Sequence, residues 1–590
     1  MGFIKALLLL IAIPLFGFVI SLWVLSDLNA ELTNNGSELS IRQICTPEIL
    51  STASDLKPLC DEIAPILWMQ TGSLLSGGAA ILLLISFTGF AAIAGKNRTK
   101  IAKIFPALVS STLIFLAILV VIQGAILTYG AYVAESYAIK RVHFVLIGAI
   151  GLGALAGGFN LISSAFKLAS KQSHGVLGKK LDPNKHPKLF SLIKEISEKL
   201  GARSPEHVIV GLDPNFYVTS ADVDLIGDNK TLKGETLYLS LPLARILNIE
   251  EIKGIIGHEL GHFRGADTYY SLKFAPVYSG LSHAVDTMWS NNKEGSASDI
   301  AKLPAHAVLS YIIEVFHTNV SSISREREFE ADKAASEIAN PKYLASSLLK
   351  IGLYAGAWND LQNRVIDRMR NEGKIARNLS QIFSSIVKYD VNEETIPKVI
   401  DSIAEQTVAH PTDSHPPTTI RIEKMGLNVK EIERDLLLVP ESTCIELLED
   451  SINIEEELTS LQQQYYVALG VKIPADENRN AAATILAAFG AHMVVADGKI
   501  EPEEIDKAEA IGSTLSSNFD SIEFREYCLY PDSLPEFTEL LNISKSMSSE
   551  AKQTIVDYLK EIAGADSEVC EQEESLIRQV AQAFEIKGQD

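Results

Sequence analysis

The chain has 590 residues, of which 47% are hydrophobic and 21% charged, and its formal net charge is -22. That length exceeds a single globular core and predicts roughly three or more units. So acidic a balance, with no basic stripe beyond the apolar N-terminal region, excludes nucleic acid as a main ligand, because no cluster of Lys and Arg replaces the phosphate counterions.

Four apolar stretches, about 6–25, 72–95, 105–128 and 143–166, approach or exceed the ~20 residues that cross a bilayer as helix, and they predict four transmembrane helices. The first could be a cleaved signal, since Lys5 precedes it and Leu28-Asn29-Ala30 follows. Its run exceeds the ~7 to 15 apolar residues of a signal core, which favours an uncleaved anchor. Lys96, Arg98, Lys100 and Lys103 follow the second stretch and Lys167, Lys171, Lys179 and Lys180 the fourth, so those flanks should face the cytoplasm. The acidic loop 27–71 suits the outer side, which leaves the N-terminus and everything after residue 170 cytoplasmic, on the inner membrane. Cys45 and Cys60 share that outer loop and could form a disulfide. Cys444, Cys528 and Cys570 lack metal-ligand spacing and read as reduced core residues.

Beyond the membrane region, Leu189, Phe190, Leu192, Ile193 and Ile196 predict an amphipathic helix over about 185–202. Short β-branched runs at His207–Val210 and Thr236–Leu241 predict a small sheet beside it. Asn248, with Glu251 three residues on, is a capping-box start for the next helix. The chain then reads mostly helical to about 430. Segments 269–288 and 303–320 are moderately apolar but interrupted by Lys273, His283, Asp286, His306, Glu314 and His317, so they are expected to be packed or membrane-surface helices rather than spans. Residues 450–480 read as a helical connector. From 481 to 590, where 22 acidic face 8 basic residues, Val494–Glu504 and Ile562–Glu573 carry one pattern twice, predicting an all-helical domain of two related halves.

Within the helix begun at Asn248 lies His258-Glu259-Leu260-Gly261-His262. Two histidines four apart project from one helical face and can grip one zinc ion, and the intervening Glu259 can act as general base toward water beside it. The reaction class is amide hydrolysis. Zinc needs a third protein ligand, and Glu326, Glu328, Glu330 and Asp332 are candidates on a downstream helix. Glu328, Ala331, Asp332, Ala335 and Ile338 share its apolar face, whereas Glu326, Glu330, Lys333 and Glu337 share the charged one. Glu328 is therefore the expected ligand. Asp332, one turn on, can accept the free ring N–H of a zinc histidine.

These residues resemble the HtpX-like and CAAX-prenyl-protease-like zinc metallopeptidases, integral membrane members of the gluzincins. The likeness covers roughly 185–430 and rests on His258–His262, on Glu328-Phe-Glu-Ala-Asp332, and on His415-Pro-Pro with Arg421. It implies one zinc per chain held by His258, His262 and Glu328, with base Glu259 and supporting Asp332. It further implies that His415 stabilises the oxyanion, although a His before two prolines is equally a turn residue. Thr236–Leu241 resembles the family's edge strand, which would pair Leu237 and Leu239 with an extended, unfolded or flexible protein substrate. Prenyl proteases have more spans, and HtpX has two after its zinc helix, whereas all four stretches here precede it. A cytoplasmic peptidase held at the bilayer suits membrane-protein quality control or stress response. Residues 481–590 resemble the TerB-like domain of tellurite-resistance proteins, through Ala496–Glu504 and 565–573, which implies a partner-binding or sensing tail dispensable for the chemistry.

The expected protein is integral to the membrane and mainly α with a small β-sheet (α+β). It divides into a transmembrane region 1–172, a gluzincin-type metallopeptidase domain 173–430, a connector 431–480 and a TerB-like domain 481–590. The competing reading is an inactive membrane scaffold whose acidic tail recruits partners. Retention of Glu259 speaks against it, and uncharged spans speak against a transporter.

Overall fold

The computed structural model describes residues 2–168, 173–228, 230–264, 270, 273–290, 297–390, 395–405, 416–472, 481–498, 500–516, 519–565 and 570–586. It is mainly helical with one small sheet, and it divides into two compact units. The first takes 1–172 with 265–326 and 410–415, and the second takes 173–264, 327–409 and 416–590. The segment expected as one peptidase block, 173–430, is thus divided between the two.

In the first unit Gly2–Asn34, Lys57–Ala94, Arg98–Ala138 and Phe144–Ser163 are long and apolar enough to cross a bilayer. Asn97 caps the third, its side chain accepting from the Lys100 amide at 3.0 Å. Leu8, Leu15, Leu74, Leu82, Ile93 and Val145 stay exposed on these helices, as lipid-facing positions do. Cys45 and Cys60 are joined as a disulfide. Phe105 packs edge-on against Phe274 and Phe316, with ring centroids 4.9 and 5.0 Å apart. Val308, Leu309 and Ile312 are buried around them, so the interrupted 303–320 stretch does pack as helix.

Among the described residues the second unit holds six strands: β1 Ser173–Lys180, β2 His207–Gly211, β3 Tyr217–Thr219, β4 Asp222–Ile226, β5 Lys230–Leu232 and β6 Thr236–Ser240. Their order is β3-β6-β2-β1-β4-β5. β6 runs parallel to β2 (Leu237 opposite Val208) and antiparallel to β3 (Leu237 opposite Val218). The expectation of an edge at Thr236–Leu241 is therefore wrong. β6 is interior, and Leu237 and Leu239 are buried, because a three-residue strand too short to read from its sequence covers that side. β3 forms the edge instead.

One core joins the sheet to its helices. Leu189, Ile193 and Ile196 from helix Pro187–Leu200 meet Ile252, Ile255 and Ile256 from helix Ile249–Gly261, together with Val208, Val210 and Leu237. Ile454 and Leu458 of the connector helix Ser451–Ala468 belong to this same core. The tail has a core of its own, including Phe489, Phe524, Ile555, Tyr558 and Leu559. Its helix Ser521–Leu529 faces both ways, with Ile522 in the peptidase core and Phe524 and Cys528 in the tail core.

Candidate metal site

The motif helix Ile249–Gly261 starts with a full capping box. The Asn248 side chain accepts from the Glu251 amide at 2.9 Å, and the Asn248 amide donates to Glu251 Oε2 at 2.8 Å. Glu251 is fully buried, and its carboxylate also accepts from Lys350 Nζ at 3.0 Å and Ser346 Oγ at 2.7 Å, on helix Pro341–Glu372. The start of the helix is thereby fixed against a neighbour. Farther along, the motif helix lies close to helix Ala297–Ile338 because Gly257 and Gly261 have no side chain. A Cβ at Gly257 would stand 3.3 Å from Ala335 Cα, and one at Gly261 would stand 3.1 Å from Ala334 Cβ.

That approach brings His258, His262 and Glu328 together as a group that could hold a metal ion. His258 Nε2 is 3.5 Å from Glu328 Oε2, and His262 Nε2 is 3.6 Å from Glu328 Oε1. For tetrahedral zinc with bonds of ~2.0–2.1 Å, ligand atoms stand ~3.3–3.4 Å apart. The three residues therefore fit the ion that their chemistry implies. The sorting of the second helix holds: Glu328, Ala331, Asp332 and Ala335 are buried, whereas Glu326, Glu330, Lys333 and Glu337 are exposed.

Asp332 Oδ1 lies 2.9 Å from His258 Nδ1, the nitrogen turned away from Glu328. Arg421 donates to both Asp332 oxygens, Nε to Oδ2 at 2.9 Å and its terminal nitrogen to Oδ1 at 2.6 Å, and lies 3.4 Å from Glu328 Oε2. Arg421 carries the likeness quoted above, but its place beneath both acids was not legible, because 89 residues separate it from Asp332. Burial alone would lower the His258 pKa, but Asp332 and Glu328 outweigh it and hold the ring at about 9 in the metal-free site. Burial would raise Asp332, yet His258 and Arg421 hold it below the usual carboxylate range. Glu259 points past the histidines, and Oε2 accepts from the Val218 amide of β3 at 3.2 Å. Burial pushes its carboxyl above the ordinary range. His415 lies outside the described residues.

An HExxH helix meeting a glutamate from a second helix, on a chain with four helices long and apolar enough to cross a membrane, is the arrangement expected of a membrane metallopeptidase. Residues 185–426 match peptidase family M48 and residues 483–590 match tellurite resistance protein TerB, so the chain contains an M48 domain followed by a TerB domain. It is similar to the protease HtpX homolog of Polynucleobacter necessarius, at 28% identity over 30% of this chain and 59% of that relative. The HtpX homologs of Thermoplasma volcanium (24% identity, 50% of this chain, 90% of the relative) and Thermococcus kodakarensis (25%, 43% and 77%) are also similar. The chain thus spans under two thirds of the Polynucleobacter relative. No solved structure matches significantly.

Proposed function

We propose that this protein is a membrane-anchored zinc endopeptidase, with one zinc held by His258, His262 and Glu328. The carrying observation is that one ligand atom from each of the three residues lies within 4.8 Å of the others, with His258 Nε2 3.5 Å from one Glu328 oxygen and His262 Nε2 3.6 Å from the other. Zinc held there would supply Lewis acidity toward the scissile carbonyl and the attacking water. Glu259, between the two histidines, takes a proton from the attacking water. Asp332 fixes the His258 tautomer with Arg421 behind it. His415 is proposed to stabilise the oxyanion, on the family resemblance.

Extended, unfolded protein segments are the proposed substrates, paired with the outer edge at β3, where Glu259 holds the Val218 amide at 3.2 Å, rather than with Leu237 and Leu239. The boundaries 1–172, 173–430, 431–480 and 481–590 are retained as functional segments. The basic flanks and the Cys45–Cys60 disulfide in the first loop support an inner-membrane topology with that loop outside and the peptidase and tail in the cytoplasm. Membrane-protein quality control is the role that the resemblance carries.

The test compares wild type with Glu259→Gln in detergent, for zinc content and cleavage of casein. The expected result is zinc in both and chelator-sensitive cleavage only in wild type, with a loss of ~10²-fold or more in the variant. Equal cleavage by the two would overturn the assignment of the base. Purification without zinc from zinc-replete medium would overturn the metal reading.

A further inference from the structure

An acidic tail carrying its own core reads as a detachable module, but the residues at its base do not behave as a tether. Helix Ser521–Leu529 places three acids on the peptidase. Arg368, nine-tenths buried, meets Asp520 at 3.4 Å, Glu523 at 2.8 Å and Glu526 at 3.6 Å. Lys374 meets Asp520 at 2.9 Å and also contacts Glu523. Arg377 stacks on the Tyr530 ring at 4.2 Å, and its amide donates to Glu526. Ile522 enters the peptidase core beside these pairs.

The loop that receives them, 373–379, is gripped from its other side by the connector helix. Gln463 both accepts from and donates to Ala376, Thr459 accepts from the Leu379 amide at 3.1 Å, and Glu456 pairs with Arg377. Asn378, fully buried, donates to Glu455 Oε2 at 2.9 Å. Glu455 is itself fully buried and takes a two-pronged bond from Arg245. Arg245 stands three residues before Asn248, the cap of the motif helix. Cys444 holds the same turn, its amide donating to Leu247 O at 2.7 Å.

We propose that the tail is a working part of the peptidase: docked through Asp520, Glu523 and Glu526, it holds loop 373–379, which sets the start of the motif helix through Asn378, Glu455 and Arg245. Each of these is a positioning residue. A buried charge cannot lose its partner without moving toward water or toward a new one, so displacement at one end of the series is passed along it. His258 lies ten residues, or ~15 Å of helix, beyond Asn248, so a small tilt at the cap shifts the ligand against Glu328. The docked face of the tail is occupied by the chain itself, and any outside protein partner must take another face or compete for this one.

Hydrogen exchange on full-length protein in detergent, without metal, tests the inference independently of the zinc reading. In Asp520→Asn/Glu523→Gln, amides of 374–379 and 244–252 should exchange at least ~10-fold faster, while 485–494 in the tail core stays protected. Faster exchange confined to the tail, with 244–252 at the wild-type rate, would overturn the proposal. Should that variant fail to fold, Asn378→Ser serves: a hydroxyl still caps the Gln381 amide but cannot reach Glu455. It should loosen 244–252 while the tail stays docked, and an unchanged 244–252 would again overturn the proposal.

Discussion

Arg421 grips Asp332 with two nitrogens, at 2.9 and 2.6 Å, and the same carboxylate stands 2.9 Å from the outer nitrogen of His258. A planar guanidinium suits this two-pronged bond and an ammonium does not. Arg421→Lys should therefore weaken zinc binding by ~10- to 100-fold, as Asp332→Asn should, because either change frees the His258 ring to turn. Competition with a chelating dye measures it. Wild-type affinity in Arg421→Lys would mean that one charge suffices and that the fork has no part in holding the ring.

The three glycines of the motif helix should separate sharply. Gly257→Ala and Gly261→Ala press a methyl to within 3.3 Å of Ala335 and 3.1 Å of Ala334, with backbone atoms among the neighbours. Each should cost ~1–3 kcal/mol by overpacking and reduce zinc retention, since the two ligand-bearing helices must part. At Gly254 the nearest atom is Leu344 Cβ at 3.5 Å, an ordinary contact, so Gly254→Ala should be neutral or stabilising by up to ~1 kcal/mol. Denaturant midpoints and zinc content distinguish these outcomes.

Breaking the Glu251–Lys350 pair from one side leaves a buried charge. Glu251→Ala should destabilise by ~3–5 kcal/mol. Replacing both partners, as Glu251→Leu/Lys350→Met, should recover most of this, with a deficit of ~1 kcal/mol remaining from the lost cap on Asn248. A double variant no more stable than the single one would show that the pair contributes more than it costs to bury.

His492 gives the tail an acid limit. Burial lowers its pKa, with the Pro535 carbonyl at 2.9 Å and Glu536 offsetting part of the effect. The unfolded chain takes up a proton near the ordinary value of ~6.5 and the folded tail only below it. Between the two values the unfolded state binds more protons, so stability is full above ~6.5 and is lost as pH falls through the depressed value. His492→Phe should flatten that slope in thermal melts from pH 7 to 5. An unchanged slope would place the acid sensitivity elsewhere.

Much of the candidate metal site was legible because helical spacing is rigid: positions 258 and 262, and 328 and 332, must share faces whatever surrounds them. The cap at Asn248 was readable for the same reason. The sheet was half hidden. β1 contains Gly175 and Gly178 and ends in lysines, with no apolar alternation, and β3 is three residues long. β4 alternates Asp222, Val223, Asp224 and Leu225, and that period was available in the sequence. Arg245 lies 210 residues from Glu455 and Glu523 lies 155 from Arg368, and no local pattern reports such pairings. From its sequence the tail therefore reads as a module apart, although its helix Ser521–Leu529 contributes residues to two cores.

The brevity of β3 also bears on what such an enzyme would discriminate. An edge of three residues is ~10 Å of rail, long enough to register about as many residues of a guest chain. Backbone pairing over so short a span tests whether a polypeptide can be drawn out straight, and asks little about which side chains it carries. A hydrolase with that rail beside its general base would sort its clients by their loss of structure, leaving folded neighbours in the same bilayer untouched.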